Sequence, residues 1–268
     1  MRQITILCFT AVLLCFAGSA CGNAPAQSGA GGSKTRAAVA SNQLQFTVPA
    51  AGSTIATLAT SKGDITVVLY PEHAGRAVDN FVKLAEQGTY NNTVFHRVVN
   101  NFIIQGGDPT GTGEGGESCW GTGFGTEVST SLRHYSGALC MAAKGGLNGS
   151  QFYIVATPPG GFTDSDIAQL QQQGMPAEAA ETYCQAGGAP YLDNTDTVFG
   201  QVIAGMDVVD EIASTQTNTD ERPKTEIKLL SVTFSSYVPP PVVSTAPAAS
   251  AAGSPSQADG LPQVTVPG

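Results

Sequence analysis

Residues 95–108 constrain the fold of this chain more than any other stretch, and they read Phe-His-Arg-Val-Val-Asn-Asn-Phe-Ile-Ile-Gln-Gly-Gly-Asp. The stretch consists of two β-rich pieces on either side of Asn100 and Asn101, a pair that suits a tight turn. This pattern predicts a β-hairpin or a sharply bent strand. Because successive side chains of a strand point to opposite faces, Arg97 should meet Phe102 across the turn, with Gln105 close by.

An arginine, an amide and an aromatic wall do not suit a hydrolase, because none of them is a nucleophile with an adjacent base. They suit a reaction in which no covalent bond changes. The peptide bond before proline is such a target, since its cis and trans forms differ by only about 0.5–1 kcal/mol but interconvert across a barrier of about 18–20 kcal/mol. Amide resonance causes this barrier. A donor aimed at the prolyl nitrogen would therefore lower it, while an apolar pocket held the ring.

Five short motifs occur in order along the chain: Phe-His-Arg at 95–97, Phe-x-x-Gln-Gly-Gly-Asp at 102–108, Asn-Gly-Ser-Gln-Phe at 148–152, Leu-Asp at 192–193 and Val-Phe-Gly-Gln-Val at 198–202. In these motifs the chain resembles the cyclophilin family of peptidyl-prolyl cis-trans isomerases. The resemblance covers about residues 53–236 and implies a closed eight-stranded antiparallel barrel capped by two helices. It also implies an enzyme that acts on proline-containing polypeptides without a metal or another cofactor.

The hydrophobic pattern agrees with a mainly β fold. Residues 55–60 and 65–70 read as two strands that flank a hairpin turn. Helical spacing of apolar residues predicts one helix over 78–85 and a second over 206–213. One helix early and one late, among many strands, suits a barrel with helices over its open ends.

The resemblance assigns roles to individual residues. Arg97 matches the family's catalytic donor, Phe102 lies in the proline pocket with Ile103 on its rim, and Gln105 hydrogen-bonds the substrate backbone. The other substrate-binding positions are Ala142, Ala143, Tyr153, Tyr191 and Leu192. His96 should face away from Arg97, and we interpret it as a structural hydrogen-bonding residue.

Four positions depart from the family pattern. Ala143 stands where an asparagine is frequent, so it offers a substrate only its main chain. Tyr153 replaces a phenylalanine, and its hydroxyl needs a polar partner or water. Tyr191 replaces a tryptophan, and Asp196 lies near the place of a family histidine. The residues at the base of the predicted pocket therefore differ from the family pattern, while the donor Arg97 and the aromatic residue Phe102 are retained.

Residues 106–125 are crowded with glycine. A phosphate-binding loop is disfavoured, because no Gly-Lys-Ser or Gly-Lys-Thr follows and no strand leads directly into a helix. We predict an irregular loop beside the peptide groove, where the missing side chains let a substrate backbone approach.

Residues 158–190 form an insertion where the family usually has a few residues. Helical spacing occurs in it at 164–173 and at 176–183. A loop of this length is more often structured or functional than slack, so we predict a partly helical insertion near the rim of the groove.

Three cysteines lie beyond the first 21 residues: Cys119, Cys140 and Cys184. In an exported protein an odd number suggests one disulfide and one buried thiol. Because Cys140 lies within a β-run, we predict a disulfide between Cys119 and Cys184. A metal site is disfavoured, since the chain has no Cys-x-x-Cys motif and no paired histidines.

The two ends of the chain read as segments outside the fold. Residues 1–20 resemble a signal peptide, with an apolar run too short to span a bilayer and small residues before Cys21. Cys21 is either the lipid-modified cysteine of a bacterial lipoprotein or lies beside an ordinary cleavage site. Residues 21–50 read as a flexible tether and 238–268 as a disordered tail rich in proline, alanine and serine, which leaves 51–237 as the domain.

We therefore expect an exported, monomeric isomerase of the cell envelope, lipid-anchored to the membrane or secreted, that assists the folding of exported proteins. The alternative is a catalytically weak chaperone or adaptor that binds proline-containing peptides, and a third reading is a structural envelope protein whose tails do the work. A formal net charge of −9 argues against a nucleic-acid partner. Ser150 does not lie in a Gly-x-Ser-x-Gly elbow, which argues against a hydrolase.

Overall fold

The computed structural model describes residues 39–240 of the 268-residue chain. The strands of this part are β1 (Thr54–Thr60), β2 (Gly63–Leu69), β3 (Thr93–Val94), β4 (Arg97–Val99), β5 (Ile103–Gly106), β6 (Phe124–Gly125), β7 (Ala138–Met141), β8 (Leu147–Asn148), β9 (Phe152–Val155), β10 (Val198–Ala204) and β11 (Lys228–Ser236). Its α-helices are α1 (Gly75–Glu86), α2 (Asp164–Gln172), α3 (Ala177–Ala186) and α4 (Met206–Ala213).

Nine strands form one sheet in the order β3-β11-β1-β2-β10-β7-β9-β5-β4, and β6 pairs with β8 in a second sheet. Every pairing is antiparallel. The two edge strands of this sheet, β3 and β4, are consecutive in the chain and are separated only by Phe95 and His96. The sheet is therefore so strongly curled that its two edges come close together. In the described residues no ladder joins β3 to β4. The mainly β, antiparallel architecture is confirmed, with nine strands in the curled sheet where eight in a closed barrel were expected.

The main core lies on one face of this sheet and is covered by α1 and α4. Phe81 of α1 contacts the rings of Phe152 and Phe199 at centroid distances of 5.6 and 5.4 Å. Val209 and Ile212 of α4 are fully buried in the same core. Burial of one large apolar side chain contributes about 1.5–3 kcal/mol, so these contacts fix both helices on the sheet. Both helices occur where the apolar spacing predicted them.

The insertion contains α2 and α3, close to the predicted helical ranges. Thr163 begins α2 with a capping box, in which its Oγ1 accepts from the N–H of Asp166 at 3.3 Å and Asp166 Oδ2 accepts from the N–H of Thr163 at 2.8 Å. Tyr183 of α3 is fully buried, with its ring centroid 4.5 Å from that of Tyr135. The insertion is therefore a packed part of the domain.

Residues 39–50, here called the N-terminal strap, pack on the domain, so the predicted start at residue 51 is too late. Gln45 is 3% exposed, and its Nε2 donates to the carbonyl of Arg133 at 2.9 Å and to Oε1 of Gln201 at 2.8 Å. Its Oε1 accepts from the N–H of Arg133 at 2.7 Å. The buried polar contacts of this glutamine hold the strap in place, which contradicts a flexible tether over these residues.

The predicted signal peptide and Cys21 lie outside the described residues, as do residues 241–268 of the predicted tail. Residues 238–240 are described and follow β11, where Val238 is exposed. Within residues 39–240, no helix is both long and apolar enough to cross a bilayer.

Candidate active site

The β4–β5 hairpin positions the candidate active site. Asn101 makes the turn with a φ of +57°, a left-handed conformation that asparagine adopts more readily than most residues. Arg97 pairs with Gln105 across the hairpin, and Gln105 pairs with Tyr153 on β9. Directly opposed residues of antiparallel strands share a face, so these three side chains form a row. Ile104, the neighbour of Gln105, is fully buried in the core on the opposite face.

The guanidinium of Arg97 is held on two sides. Its Nε donates to Oε2 of Glu221 at 2.6 Å, and its Nη1 donates to Oε1 of Gln105 at 3.4 Å, a longer and weaker bond. In the described part of the chain Nη2 donates to no protein atom, and 38% of the side chain is exposed. Arg97 thus presents an unengaged donor at an open surface.

Two glutamines connect this site to the glycine-rich loop, residues 106–125. Gln105 Nε2 donates to Oε1 of Gln151 at 3.0 Å, and Gln151 Nε2 donates to the carbonyls of Gly113 and Gly115 at 2.9 and 2.8 Å. A cavity of about 520 Å³ lies beside the loop, and its lining includes Gln105, Ala142 and Ala143. The loop is irregular and borders the groove, as its glycines predicted.

An apolar patch adjoins the row, formed by Phe102, Ile103, Ala142, Tyr153, Tyr191 and Leu192. Ile103 and Tyr153 are 3% and 4% exposed and form its base. Tyr191 is 68% exposed at its rim, with its ring centroid 6.0 Å from that of Phe102. Burial raises the pKa of the Tyr191 hydroxyl, and the charge of Arg97 opposes this rise.

This arrangement can hold a small apolar ring beside a cationic hydrogen-bond donor. Among residues 39–240, no group of three or more His, Cys, Asp or Glu side chains is arranged to hold a metal ion. Comparison with known proteins gives a specific result: residues 55–234 match the family model described as "Cyclophilin type peptidyl-prolyl cis-trans isomerase/CLD".

The chain belongs to the cyclophilin-type peptidyl-prolyl cis-trans isomerase family. A Staphylococcus saprophyticus protein named "Putative peptidyl-prolyl cis-trans isomerase" is 44% identical to the cyclophilin domain over 174 residues, which are 65% of this chain and 87% of that protein. The predicted family and its isomerase activity are therefore confirmed.

Solved structures show the same cyclophilin fold. A crystal structure of a Cryptosporidium parvum cyclophilin-type isomerase matches with a TM-score of 0.56 at 29% identity, covering 70% of this chain and 99% of that one. Its structure determined in the presence of the dipeptide Ala-Pro matches with a TM-score of 0.55, also at 29% identity, over 68% of this chain and 99% of that one. The likeness thus extends over the fold as a whole, beyond the short motifs.

Of the predicted site residues, those on strands lie on one face of the sheet of the cyclophilin domain: Arg97, Ile103, Gln105 and Tyr153. Arg97 and Gln105 lie side by side, and the apolar patch adjoins them. Ala143 lines the cavity beside the glycine-rich loop instead of the apolar patch. The catalytic and binding roles of these residues stay predictions.

His96 is buried beside the glycine-rich loop. It is 5% exposed, and neither ring nitrogen has a hydrogen-bond partner in the described residues. Burial lowers the pKa of the imidazole, and the nearby Asp108 carboxylate opposes this effect. The ring packs beneath Gly113, where an added Cβ would lie 3.1 Å from it. His96 therefore packs against the glycine-rich loop, and its hydrogen-bonding role stays a prediction.

Tyr153 finds the polar partner that its hydroxyl requires. Its hydroxyl donates to Oδ2 of Asp196 at 2.8 Å, and the ring stacks on that of His134 with centroids 6.3 Å apart. Burial, with the neighbouring Cys140 and Asp196, raises the pKa of Tyr153 far above its usual value. The phenol is therefore a neutral donor that fixes the floor of the apolar patch.

The predicted disulfide between Cys119 and Cys184 is wrong. The structure records no disulfide among Cys119, Cys140 and Cys184. Cys119 packs against the main core, with its N–H donating to Oδ1 of Asn80 on α1 at 2.8 Å. Cys184 lies in the insertion, with its Sγ 4.0 Å from the carbonyl oxygen of Phe162. The two side chains pack in different surroundings, which cannot be predicted from their spacing along the chain.

Two polar residues beside the groove were given no role of their own from the sequence. Glu221 binds Arg97, and the Asp193 carboxylate accepts from the hydroxyl of Tyr183 at 2.8 Å and from the N–H of His134 at 2.9 Å. Asp193 directly follows Leu192 of the apolar patch. The sequence gives only a weak indication of the role of Glu221. It is an acidic residue in a polar loop, and no periodic pattern relates it to Arg97, more than 120 positions earlier.

Proposed function

We propose that the isomerase activity depends on Arg97 as the donor that stabilises the twisted X-Pro amide. The observation that carries this proposal is the partly exposed Arg97 side chain, with Nη2 unengaged in the described residues, next to the patch that contains Phe102. Twisting localises the lone pair on the prolyl nitrogen, and a cationic donor stabilises that state. Lowering the barrier by about 7 kcal/mol accelerates the reaction about 10⁵-fold, within reach of one charge-assisted donor and pre-organised binding.

The apolar patch supplies a place for the proline ring. In this proposal the ring packs on Phe102, Ile103, Tyr153 and Leu192, with Tyr191 at the rim. The substrate backbone is held by Gln105 and by the main chain at Ala142 and Ala143. The buried base of the patch supports a rigid pocket, and the similar Cryptosporidium protein was crystallised in the presence of Ala-Pro, which is a ligand of this class.

The roles are tested by turnover of a short X-Pro peptide with the full chain, in a protease-coupled assay. Arg97→Ala is expected to lower kcat/KM at least 100-fold with an unchanged circular dichroism spectrum, and Arg97→Lys to retain part of the activity as a point charge. Phe102→Ala is expected to raise KM and lower kcat. Arg76→Ala is the matched control, because the guanidinium of Arg76 lies over the rings of Trp120 and Phe124 and does not line the cavity beside the glycine-rich loop. Full activity of Arg97→Ala would remove Arg97 from this role.

A second candidate is a binding module that grips proline-containing segments and catalyses little, as a chaperone or adaptor. The polar floor formed by Tyr153 and Asp196, where the family has apolar and imidazole side chains, favours it. The same assay distinguishes the two functions, because a binder shows affinity for the peptide without acceleration.

We also propose that the protein is exported, acts as a monomer on exported proteins, and is anchored to the membrane by a lipid on Cys21. The support is the sequence of residues 1–21, an apolar run that ends in small residues and a cysteine. Metabolic labelling with a radioactive fatty acid, compared between the natural chain and Cys21→Ala, tests the anchor. Label on the natural chain alone is expected, and an unlabelled but exported natural chain would indicate secretion instead.

A further inference from the structure

We infer that Glu221 is a positioning residue that orients the guanidinium of Arg97 for catalysis. The inference rests on the proposed role of Arg97, and it assigns a function to a carboxylate outside the family motifs. Its basis is the charge-assisted bond from Arg97 Nε to Glu221 Oε2 at 2.6 Å, which is short for a bond of this kind.

The loop that carries Glu221 fixes the position of this carboxylate beside β4. Glu221 has a φ of +59°, a left-handed conformation that is unfavourable for a side chain of this kind. Its carbonyl accepts from the N–H of Val98 on β4 at 2.8 Å, which fixes it beside the strand that carries Arg97. Asn218 Oδ1 closes the loop by accepting from the N–H groups of Asp220 and Arg222, both at 3.0 Å. Backbone strain held by surrounding bonds is a recurrent property of functional positions.

The contacts leave one edge of the guanidinium available. Glu221 takes Nε and Gln105 takes Nη1, so the plane of the group is fixed by two contacts on adjacent nitrogens. Nη2 donates to no protein atom in the described part of the chain, and it can therefore face a substrate. An arginine side chain has several rotatable bonds, and a displacement of about 1 Å in a catalytic group can cost about 100-fold in rate.

Folding stability does not account for this ion pair. The Arg97 and Glu221 side chains are 38% and 45% exposed, and ion pairs with this exposure contribute little to stability. The adjacent Arg222 has a structural role, because it donates to the carbonyls of Gly111 and Thr112 at 2.7 and 3.1 Å and so holds the glycine-rich loop. A test must therefore separate orientation of Arg97 from support of the loop.

The experiment compares Glu221→Ala, Glu221→Gln and Glu221→Gly in the full chain, measuring kcat and KM for an X-Pro peptide and the melting temperature. We expect kcat to fall about 10-fold in Glu221→Ala with KM within 2-fold, and about 3-fold in Glu221→Gln, which keeps a neutral acceptor. Glu221→Gly is decisive, because glycine adopts a φ of +59° without strain. It should keep or raise the melting temperature and still lose about 10-fold in kcat.

Two further measurements complete the test. The Arg97 Nε–H resonance, observed by ¹⁵N NMR and assigned with Arg97→Lys, should be protected from exchange in the natural chain and exposed in Glu221→Ala. In the Arg97→Ala background, Glu221→Ala should have no further effect on kcat. Glu226→Ala is the matched control, since Glu226 lies 3.8 Å from Lys228 and makes no contact with Arg97.

Either of two results overturns the inference: kcat of Glu221→Ala and Glu221→Gly within 2-fold of the natural chain, or a loss confined to KM that accompanies a lower melting temperature. An active Arg97→Ala would instead contradict the proposed function. An inactive Arg97→Ala combined with a fully active Glu221→Ala would reject the role of Glu221 alone.

Discussion

Asp108, two residues after β5, is a buried carboxylate whose hydrogen bonds come from the glycine-rich loop. Its Oδ1 accepts from the N–H of Thr110 at 2.8 Å, and its Oδ2 accepts from the N–H groups of Gly113 and Gly115 at 2.6 and 3.2 Å. Burial opposes ionisation, but the hydrogen bonds prevail and lower the pKa of Asp108 from 3.8 to about 2. The ionised form therefore holds the loop against the groove.

This residue predicts a specific dependence of stability on pH. Because the pKa of Asp108 is depressed in the folded state, its contribution is present above about pH 4 and is lost as the pH falls toward 2. The contribution amounts to about 2 kcal/mol. Urea unfolding should show Asp108→Asn less stable than the natural chain at pH 6, with the difference closing near pH 2. The exposed Asp64→Asn is the control, and equal pH dependence in both variants would contradict the prediction.

The two departures from the family pattern at the pocket floor explain each other. The sequence predicted that the Tyr153 hydroxyl needs a polar partner and that Asp196 lies near the place of a family histidine. The structure joins them at 2.8 Å. The row of Arg97, Gln105 and Tyr153 was predictable because strand alternation and family motifs specify it. Glu221 was not, because its contact depends on a loop closing onto β4 through backbone hydrogen bonds.

At the scale of elements, the insertion supports the rim of the groove from beneath. Tyr183 of α3 donates its hydroxyl to both oxygens of Asp193, at 2.8 and 2.9 Å, and Arg133 Nη1 donates to Oδ2 at 3.2 Å. The Asp193 side chain is only 6% exposed and directly follows the short 3₁₀ helix Pro190–Leu192. The helical insertion is thereby bonded to the residues that border the apolar patch.

Removal of the Tyr183 hydroxyl should weaken this support. Tyr183→Phe leaves a buried carboxylate with one donor fewer, which costs about 1–3 kcal/mol in the free energy of unfolding. Because the affected turn includes Leu192, KM for a peptide should also rise. Chemical denaturation and peptide kinetics measure the two effects. Tyr237→Phe is the control, since that hydroxyl has no hydrogen bond within the described residues, and an equally small effect in both variants would argue against the anchor.

The helices and strands that could be predicted from the sequence are those that are long enough to show a periodic apolar pattern. Strands β1 and β2 and helices α1 and α4 carry clear apolar repeats, and they occur near the predicted positions. The two-residue strands β3, β6 and β8 are too short for any repeat and exist because neighbouring strands pair with them. The strap was misassigned because it was read as one stretch with residues 22–38, which are rich in alanine, glycine and serine. Its attachment includes the hydrogen bonds of Gln45 and the ring of Phe46, whose centroid is 5.2 Å from that of Tyr135.

At the scale of the whole molecule, the strap sets the boundary of the stable domain. A fragment that spans residues 39–240 should be more stable than one that spans 51–240, because the shorter fragment leaves the Gln201 side chain and the Arg133 backbone without the Gln45 contacts. We expect a difference of about 2 kcal/mol in the free energy of unfolding. Gln45→Ala in the longer fragment should reproduce most of it, and Gln43→Ala, whose side chain makes no hydrogen bond in the described residues, should not. Equal stability of both fragments would show that the strap contributes nothing.

The pairing of β1 with β11 determines when the sheet can be completed. Thr54 lies opposite Ser236, so partners nearly the full length of the domain apart must meet before this ladder forms. Contacts this distant along the chain slow folding, because the closure entropy is lost before any contact compensates for it. During synthesis one edge of β1 therefore stays unpaired until β11 has been made. A nascent chain arrested before residue 228 would expose this edge, and exposed strand edges promote aggregation.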